Sequence, residues 1–273
     1  MKNNFKVSIP LAIIITLIAV IYQRSTGPTY PKKFDIGKDR QVRIKLPRSH
    51  GGITNAPVEV PALSEEMKAT LTYKRYPTND DWTTVDLIKE GSFLKTSLPH
   101  QPPAGKITYF LNLTYADGSS QSLGSMQEPI YIRFKGAVPT AILAPHVVFM
   151  FLSMLLSVVA LVEAVFGTQM YKLIGRMTLG CLFVGGMILG PIVQKYAFGV
   201  YWAGFPFDVD LTDNKLLIGV VSWFLAVALS WKSSRKWPTI IAAIILFGVY
   251  SIPHSMQGSE FDYEKGKVTT DVD

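Results

Sequence analysis

The sequence predicts a membrane protein of mixed fold class, with an all-β sandwich inserted between an N-terminal transmembrane anchor and a four-helix transmembrane bundle. Charge is spread unevenly along the 273 residues. Residues 27–136 contain 15 Lys and Arg and 11 Asp and Glu, whereas residues 138–171 contain one charged side chain, Glu163. Hydrophobic residues form long runs outside residues 27–136 and alternate with polar residues inside that range. A soluble chain with a single core does not combine these two patterns.

Five apolar segments are candidates for membrane-crossing helices, since about 20 apolar residues in a helix span the hydrocarbon core. They are residues 7–22, 140–166, 173–193, 216–231 and 239–252. The last segment is short, but Trp231, Trp237 and Tyr250 flank it as interfacial anchors would. The first could instead be a signal peptide. Because no small-x-small cleavage site follows it, an uncleaved anchor is favoured.

The predicted domains follow these segments. They are an anchor (or signal peptide) at 1–26, an extracytoplasmic β-sandwich at 27–136, a four-helix transmembrane bundle at 137–253 and a polar extracytoplasmic tail at 254–273. We therefore expect a multi-pass protein of a bacterial cell membrane with five spans.

Short loops decide the orientation, because they dominate the positive-inside rule. The turn 231–237 reads WKSSRKW, with three cations, and Lys172 and Arg176 lie near the preceding turn with no acid. The loop 194–215 combines two lysines with three aspartates. This pattern places the N-terminus inside and the β-domain outside. Six cations that follow the first span argue the reverse, but long translocated domains largely escape the rule.

Residues 41–134 alternate with period two, which is typical of strands exposed on one face. Predicted strands cover residues 41–46, 69–76, 82–88, 92–98, 107–115 and 129–134. Turn-forming residues separate them at 77–80, 90–91, 99–105 and 117–118. Six or seven short strands with no helical period predict an antiparallel β-sandwich.

The run DWTTVDLIKEGSFLKTSLPHQPPAGKITYFLNLTYADGS, which begins at Asp81, resembles bacterial fibronectin type III-like or immunoglobulin-like domains. The resemblance covers about residues 69–134. It implies that the Tyr109 hydroxyl ties the corner at the start of a late strand, and that the domain binds or spaces without catalytic residues. The membrane bundle resembles no family that its residues identify.

Two function classes receive little support from the residues. Nucleic acid is not an expected partner, because the cations are scattered and the domain is predicted to lie outside the cytoplasm. The basic stretch 32–48 is interpreted either as a solvated strand edge or as a site for anionic lipid headgroups. The sequence also contains no nucleotide-binding, nucleophile-elbow, zincin or CxxC motif, which favours a non-catalytic function.

A cofactor site is the alternative interpretation. His146 and His254 each follow a proline and are predicted to lie near the outer membrane face. Met150 recurs on the helical face of His146, and Met256 lies beside His254. Two imidazoles across a bundle could hold haem b, and histidine with methionine could hold copper. Interfacial histidines bonded to carbonyls, with methionines filling the core, would give the same pattern.

The outer loop 194–215 supplies candidate partner-binding residues, because aromatic clusters are common at binding sites. These are Tyr196, Tyr201, Trp202, Phe205 and Phe207. They could equally form an interfacial aromatic belt in the lipid bilayer. Asp208, Asp210 and Asp213 suggest helix capping, with Thr212 or Asp213 as the cap.

Two further features concern helix packing. Gly186 and Gly190 form a small-xxx-small pair, which predicts close contact with another helix, in this chain, in a membrane-protein partner or in a second copy. Glu163 near a helix end is expected either to reach the lipid headgroups or to pair with Lys172 or Arg176. The sequence thus favours an accessory or scaffold subunit of a membrane complex, with a haem or copper redox component as the alternative.

Overall fold

A computed structural model describes residues 4–38, 41–253 and 258–269. The chain divides into two compact units. The helical unit takes residues 1–28, 138–196 and 200–258, and the β unit takes residues 29–137, 197–199 and 259–273. Helices and multi-stranded sheets are both present, so the mixed fold class predicted from the sequence is confirmed.

The helical unit is built from apolar helices: α1 (Phe5–Thr26), α2 (Thr140–Val165), α3 (Met170–Leu182), α4 (Gly190–Phe198), α5 (Leu211–Ser230) and α6 (Trp237–Ser251). A π-helical segment, Phe183–Leu189, joins α3 to α4 without a break. Within the described residues, α1, α2, α5 and the continuous helix Met170–Phe198 are long and apolar enough to cross a membrane. With α6, a shorter apolar helix, they match the five predicted segments in place.

Helix α2 packs against α1, α3 and α6, and α5 packs against α3 and α6. Trp223 of α5 is fully buried at the centre of this packing. Glycines allow the close approaches. A Cβ at Gly175 would lie 3.1 Å from the Trp223 ring, and a Cβ at Gly186 would lie 2.3 Å from Leu216 Cδ1. The glycine face of Gly186 therefore has an internal neighbour, α5, among the alternatives left open by the sequence.

Glu163 is fully buried in α2, where it joins the start of α1 to the unit. Its carboxylate accepts the Asn4 backbone N–H at 3.0 Å, the Ser8 hydroxyl at 2.9 Å and the Thr168 hydroxyl at 2.5 Å. The expected pairing with Lys172 or Arg176 is wrong. The first amides of a helix lack intrahelical acceptors, so a buried carboxylate at a helix start satisfies them and interacts favourably with the helix dipole.

The β unit contains two main sheets that share one core. One has the strand order β3 (Ser49–Gly51), β11 (Ile130–Lys135), β9 (Lys106–Thr114), β5 (Lys68–Tyr76) and β6 (Thr83–Asp86), with β10 (Ser120–Leu123) also on β9. The other has the order β4 (Ala56–Pro61), β8 (Phe93–Leu98) and β7 (Ile88–Glu90). A separate hairpin pairs β1 (Lys32–Ile36) with β2 (Val42–Leu46) and adds its inner side chains to the same core.

The structure differs from the predicted strands in three respects. The predicted strand 82–88 is two strands, β6 and β7, in different sheets. β3 runs parallel to β11, so the pairing is not wholly antiparallel. β1, β3, β4 and β10 were not predicted, and β4 escapes the strand pattern because Pro57 and Pro61 lie within it. Prolines are tolerated there because, among the strands that the structure describes, β4 pairs with β8 alone.

Tyr109 is buried in β9, and its hydroxyl donates to the Pro47 carbonyl at 2.7 Å. Burial raises the pKa of Tyr109, because the phenolate loses solvation there. The hydroxyl thus joins β9 to the segment before β3, which is 62 residues away in sequence.

The segment after α6 forms a second hairpin, β12 (Glu260–Asp262) with β13 (Lys267–Thr269), which belongs to the β unit. Phe261 donates its backbone N–H to Ala104, and Lys106 forms an ion pair with Glu260. The Tyr263 hydroxyl bonds the Gln101 amide oxygen at 2.9 Å and the Lys106 carbonyl at 3.1 Å. The region expected as a polar tail thus contains structure that periodicity did not reveal, because each strand is three residues long.

Candidate partner-binding site

The loop between α4 and α5 holds its aromatic side chains outward. Tyr201 is 60% exposed, Phe205 68%, Phe207 81% and Val209 69%. Tyr196 is also exposed, on α4 before the loop, and Trp202 is half-buried. Four of the five aromatic residues predicted from the sequence are therefore exposed. Trp202 differs, because its Nε1–H donates to the Phe205 carbonyl within the loop at 3.1 Å.

Polar side chains at the start of α5 fix the backbone of this loop. The Asp213 carboxylate accepts the Ala203 N–H at 2.6 Å, and the Asn214 side-chain oxygen accepts the Phe205 N–H at 2.7 Å. A Cβ at Gly204 would lie 2.6 Å from Asp213 Cβ, so the chain passes directly against α5 there. A buried polar side chain that satisfies backbone groups of a loop restricts the loop to one conformation.

Asp210 is the N-cap of α5, in place of the Thr212 or Asp213 expected from the sequence. Its carboxylate accepts the N–H groups of Thr212 at 2.7 Å and Asp213 at 3.3 Å, while its own N–H donates to the Ala203 carbonyl at 2.8 Å. The cap leaves Asp213 free to turn toward Ala203. An acidic cluster before an apolar helix signals a cap, but nothing in the sequence shows which acid faces the helix and which faces the loop.

A buried lysine stands one turn further along α5. Lys215 donates from Nζ to the carbonyls of Ile252 at 2.9 Å and Pro253 at 3.2 Å, just after α6. A cation at the free carbonyls beyond a helix C-terminus is favourable. The beginning of α5, which follows the aromatic loop in sequence, is thereby joined to the end of α6.

His146 and Met150, the candidate cofactor ligands, lie in the half-buried face of α2 against the π-helical segment. His146 Nδ1 is 2.8 Å from the Gly185 carbonyl, which also accepts the Gly190 N–H. The Met150 sulfur would lie 3.3 Å from a Cβ at Gly185. His254 and Met256, their proposed counterparts, lie outside the described residues. Within the part of the chain that the structure describes, no three His, Cys, Asp or Glu side chains are grouped to hold a metal ion.

The β unit carries a second candidate surface, a recess of about 510 Å³ with aromatic walls. Tyr76 and Tyr131 meet edge to face with ring centroids 5.0 Å apart, and Lys74 lies over the Trp82 ring at 5.3 Å. Burial raises the pKa of Tyr76. Thr78, Asn79 and Gln127 add polar groups to the lining. Rigid aromatic rings beside amide and hydroxyl groups suit binding of a polar macromolecular surface.

Comparison of the chain with protein-family models, with curated proteins and with solved structures finds no match.

Proposed function

We propose that this protein is an accessory or scaffold subunit of a membrane complex, and that a partner protein docks on the aromatic loop of residues 200–210. One observation carries the proposal: the loop backbone is fixed by Asp213 and Asn214, while Phe205, Phe207 and Val209 project into open space. A loop that is already ordered loses little conformational entropy on binding. Exposed aromatic groups on such a loop are typical anchors of a protein interface.

The composition of the exposed positions favours a protein partner over a lipid belt. Interfacial belts use tryptophan and tyrosine, whose polar tips reach water at the headgroup level. Here the most exposed side chains are Phe207, Val209 and Phe205, which have no polar tip. Trp202, the residue best suited to the headgroup region, instead directs its N–H to the loop backbone.

The membrane arrangement is part of the proposal: five spans, with the β unit outside the cytoplasm. At one end of the helical unit, α2 ends and α6 begins. This end carries Lys172, Arg176, Lys232 and Arg235, and Glu163, the acidic residue nearest to it in α2, is buried. The opposite end carries Asp208, Asp210 and Asp213. The positive-inside rule supports a cytoplasmic location for the first of these ends.

The course of the chain supports the same arrangement. It passes between the two units after residues 28, 137, 196, 199 and 258. Each of these crossings is next in sequence to the helix ends on the side that carries the three aspartates, since α1, α4 and α6 end there and α2 begins there. Inside the helical unit, Gln23 of α1 donates to the Tyr250 carbonyl of α6 at 2.7 Å, which places those two ends together.

We also propose that the β unit is immunoglobulin-like. β5, β9 and β11 would be strands C, F and G of such a domain, with β6 as C′, and β4, β8 and β7 would be strands B, E and D. Strand order of this kind supports the resemblance in sequence. It implies a binding or spacing module, since the fold carries no chemistry by itself.

Site-directed photocrosslinking in native membranes tests the docking surface. A benzophenone amino acid at position 207 is expected to give one discrete protein adduct, and Phe205→Ser in the same chain should reduce its yield several-fold. The matched control places the same group at position 53, where Ile53 is an exposed hydrophobic residue of the β unit. Lipid adducts alone at position 207, or the same adduct at both positions, would reject the proposal.

The orientation has its own test. A periplasm-dependent reporter fused after Asp273 should be active, and the same reporter inserted at Ser234 in the turn 231–237 should be inactive. Activity at Ser234 together with inactivity after Asp273 would invert the arrangement.

A redox function is the second candidate, and one observation favours it. When Nδ1–H of His146 donates to the Gly185 carbonyl, Nε2 is left as the metal-binding nitrogen, an arrangement that is common for ligating histidines. The optical spectrum and metal content of the purified protein distinguish the two candidates. A Soret band, or stoichiometric copper, that is lost in His146→Ala would replace the scaffold function. If the spectrum shows no haem absorption and the preparation contains no copper, the redox hypothesis is rejected.

A further inference from the structure

Two adjoining recesses lie between α3 and the C-terminal end of α5, next to the turn 231–237. Both recesses are lined by Val227 and Trp231. The larger has a volume of about 720 Å³ and an apolar wall that includes Leu179 and Phe224. The smaller has a volume of about 190 Å³ and is lined by Lys172 and Arg176. We call these two recesses together the basic cleft.

Four cations line the basic cleft. Lys172 and Arg176 line the smaller recess, and Lys232 and Arg235 line the larger one. Among the described residues, no carboxylate lies within ion-pair distance of these four side chains. Glu163, the nearest acid in sequence to Lys172, instead accepts hydrogen bonds from Asn4 and Ser8. Four unneutralised cations at one location attract an anion.

The guanidinium of Arg176 is held in place for such an anion. Its Nε–H donates to the Lys172 carbonyl at 3.1 Å, and its Cζ lies 5.4 Å from the centroid of the exposed Trp231 ring. Both contacts leave the terminal N–H groups free to donate. Arginine presents these groups in a fork that matches the oxygens of a phosphate.

The cleft changes character along the helix axis. Toward the turn its lining is cationic, and toward the middle of α3 and α5 it is formed by Leu179, Phe224 and Val227. Ser230 does not offer a polar group to this wall, because it is buried and its hydroxyl bonds the Ala226 carbonyl. A ligand that fits both parts must carry a phosphate at one end and a hydrocarbon chain at the other.

We propose that the basic cleft binds an anionic phospholipid, with its phosphate at Arg176 and Lys172 and an acyl chain along Leu179 and Phe224. Basic pockets between transmembrane helices are established sites for anionic lipid headgroups in other membrane proteins. The inference depends on the helices being in a membrane, but not on partner binding by the aromatic loop, which lies at the other end of α5.

Native mass spectrometry of the full chain in detergent tests the proposal. Phosphatidylglycerol and phosphatidylcholine are added at equal concentration. The wild type is expected to retain phosphatidylglycerol at least about fivefold over phosphatidylcholine, and Arg176→Gln with Lys172→Gln should remove that preference. The matched control is Lys6→Gln, which removes an exposed cation at the same end of the helices but outside the cleft, and it should retain the preference.

Two further arms separate a lipid from free phosphate. Inorganic phosphate at millimolar concentration should not displace phosphatidylglycerol, and Phe224→Ser should weaken lipid retention while leaving the protein folded, because Phe224 is exposed on α5. Displacement by phosphate together with full retention in Phe224→Ser would indicate an ion site and overturn the lipid assignment. Equal retention of the two lipids by the wild type, or an equal loss in Lys6→Gln, would overturn the cleft itself.

Discussion

The carboxylate of Glu163, near the end of α2, accepts the backbone N–H of Asn4 at 3.0 Å across 159 residues of sequence. This contact makes the first helix a structural part of the helical unit. Ser8 and Ala12 of α1 are fully buried, and Ser8 donates to the same carboxylate. Removal of α1 would leave a buried carboxylate without these donors, which is costly in an apolar environment.

Glu163→Ala is therefore expected to lower the free energy of unfolding in detergent by about 2–3 kcal/mol, the magnitude of hydrogen bonds to a charged group. Glu163→Gln keeps an oxygen acceptor and should lose less. Thermal unfolding of the purified chain measures both. Val165→Ala, two residues further along the same helix and exposed, serves as the control. Equal melting temperatures for Glu163→Ala and Val165→Ala would show that the carboxylate does not hold α1.

Asp213→Ala is expected to loosen the aromatic loop, because it leaves the buried Ala203 N–H without an acceptor. Asp213→Asn retains one side-chain oxygen and should have a smaller effect. Limited proteolysis within residues 200–210 measures the change, and cleavage should be fastest in Asp213→Ala. Gly204→Ala should act in the same direction, since its Cβ would displace Asp213. Proteolysis rates that do not change in any of the three would contradict an ordered loop.

Tyr109→Phe should destabilise the β unit by about 1 kcal/mol, which is the usual net value of one buried hydrogen bond. The Pro47 carbonyl loses its donor while the packing of the ring is kept. Tyr131→Phe removes a hydroxyl from a more exposed tyrosine and is the comparison variant. Denaturant unfolding followed by tryptophan fluorescence should give a lower midpoint for Tyr109→Phe alone. A lower midpoint for both variants would mean that the Pro47 contact has no particular role.

The docking of the second hairpin, β12 with β13, should weaken at high pH. Burial raises the pKa of Tyr263 from 10.0 to about 12. Below pH 10 the hydroxyl is protonated in both states, so stability does not change. Between about pH 10 and 12 the unfolded state loses the proton first, and stability falls. The full shift is worth about 2.7 kcal/mol, and solvent screening at this partly exposed position reduces it to about 1–2 kcal/mol.

Thermal unfolding of the wild type and of Tyr263→Phe between pH 9 and 11.5 measures this effect. The difference in stability between the two proteins should shrink as the pH rises. Absorbance of the phenolate should show one fewer late-titrating tyrosine in Tyr263→Phe. A constant difference across this range would rule out the buried phenol as the cause.

The sequence predicted the positions of all five apolar helices and most long strands, because these depend on local patterns. A run of apolar residues has no stable alternative to a helix in lipid. Period two marks a strand wherever one face is buried, as in β5 and β9. Short strands such as β3 and β12 contain too few residues for a period to be detected, and their partners supply their stability.

The candidate site was predicted in part. Aromatic composition alone identified Phe205 and Phe207, and the structure places both outward. The roles of Asp210, Asp213 and Asn214 could not be predicted, since each could cap α5 and the choice depends on the path of the loop backbone. The predicted pairing of Glu163 with Lys172 or Arg176 relied on their closeness in sequence. The backbone N–H of Asn4, which Glu163 binds instead, is 159 residues away in sequence and comes close to Glu163 only in the folded structure.

The sequence by itself determined the mixed class, the apolar helices and the alternating strands, since hydrophobic burial follows residue type and spacing. Tertiary structure alone decided which polar groups meet: Glu163 with the start of α1, Tyr109 with Pro47, Arg176 with Trp231, and the second hairpin with the β unit. The physical reason is that a hydrogen bond or ion contact depends on a few tenths of an ångström between distant segments, whereas hydrophobic burial does not require a particular partner.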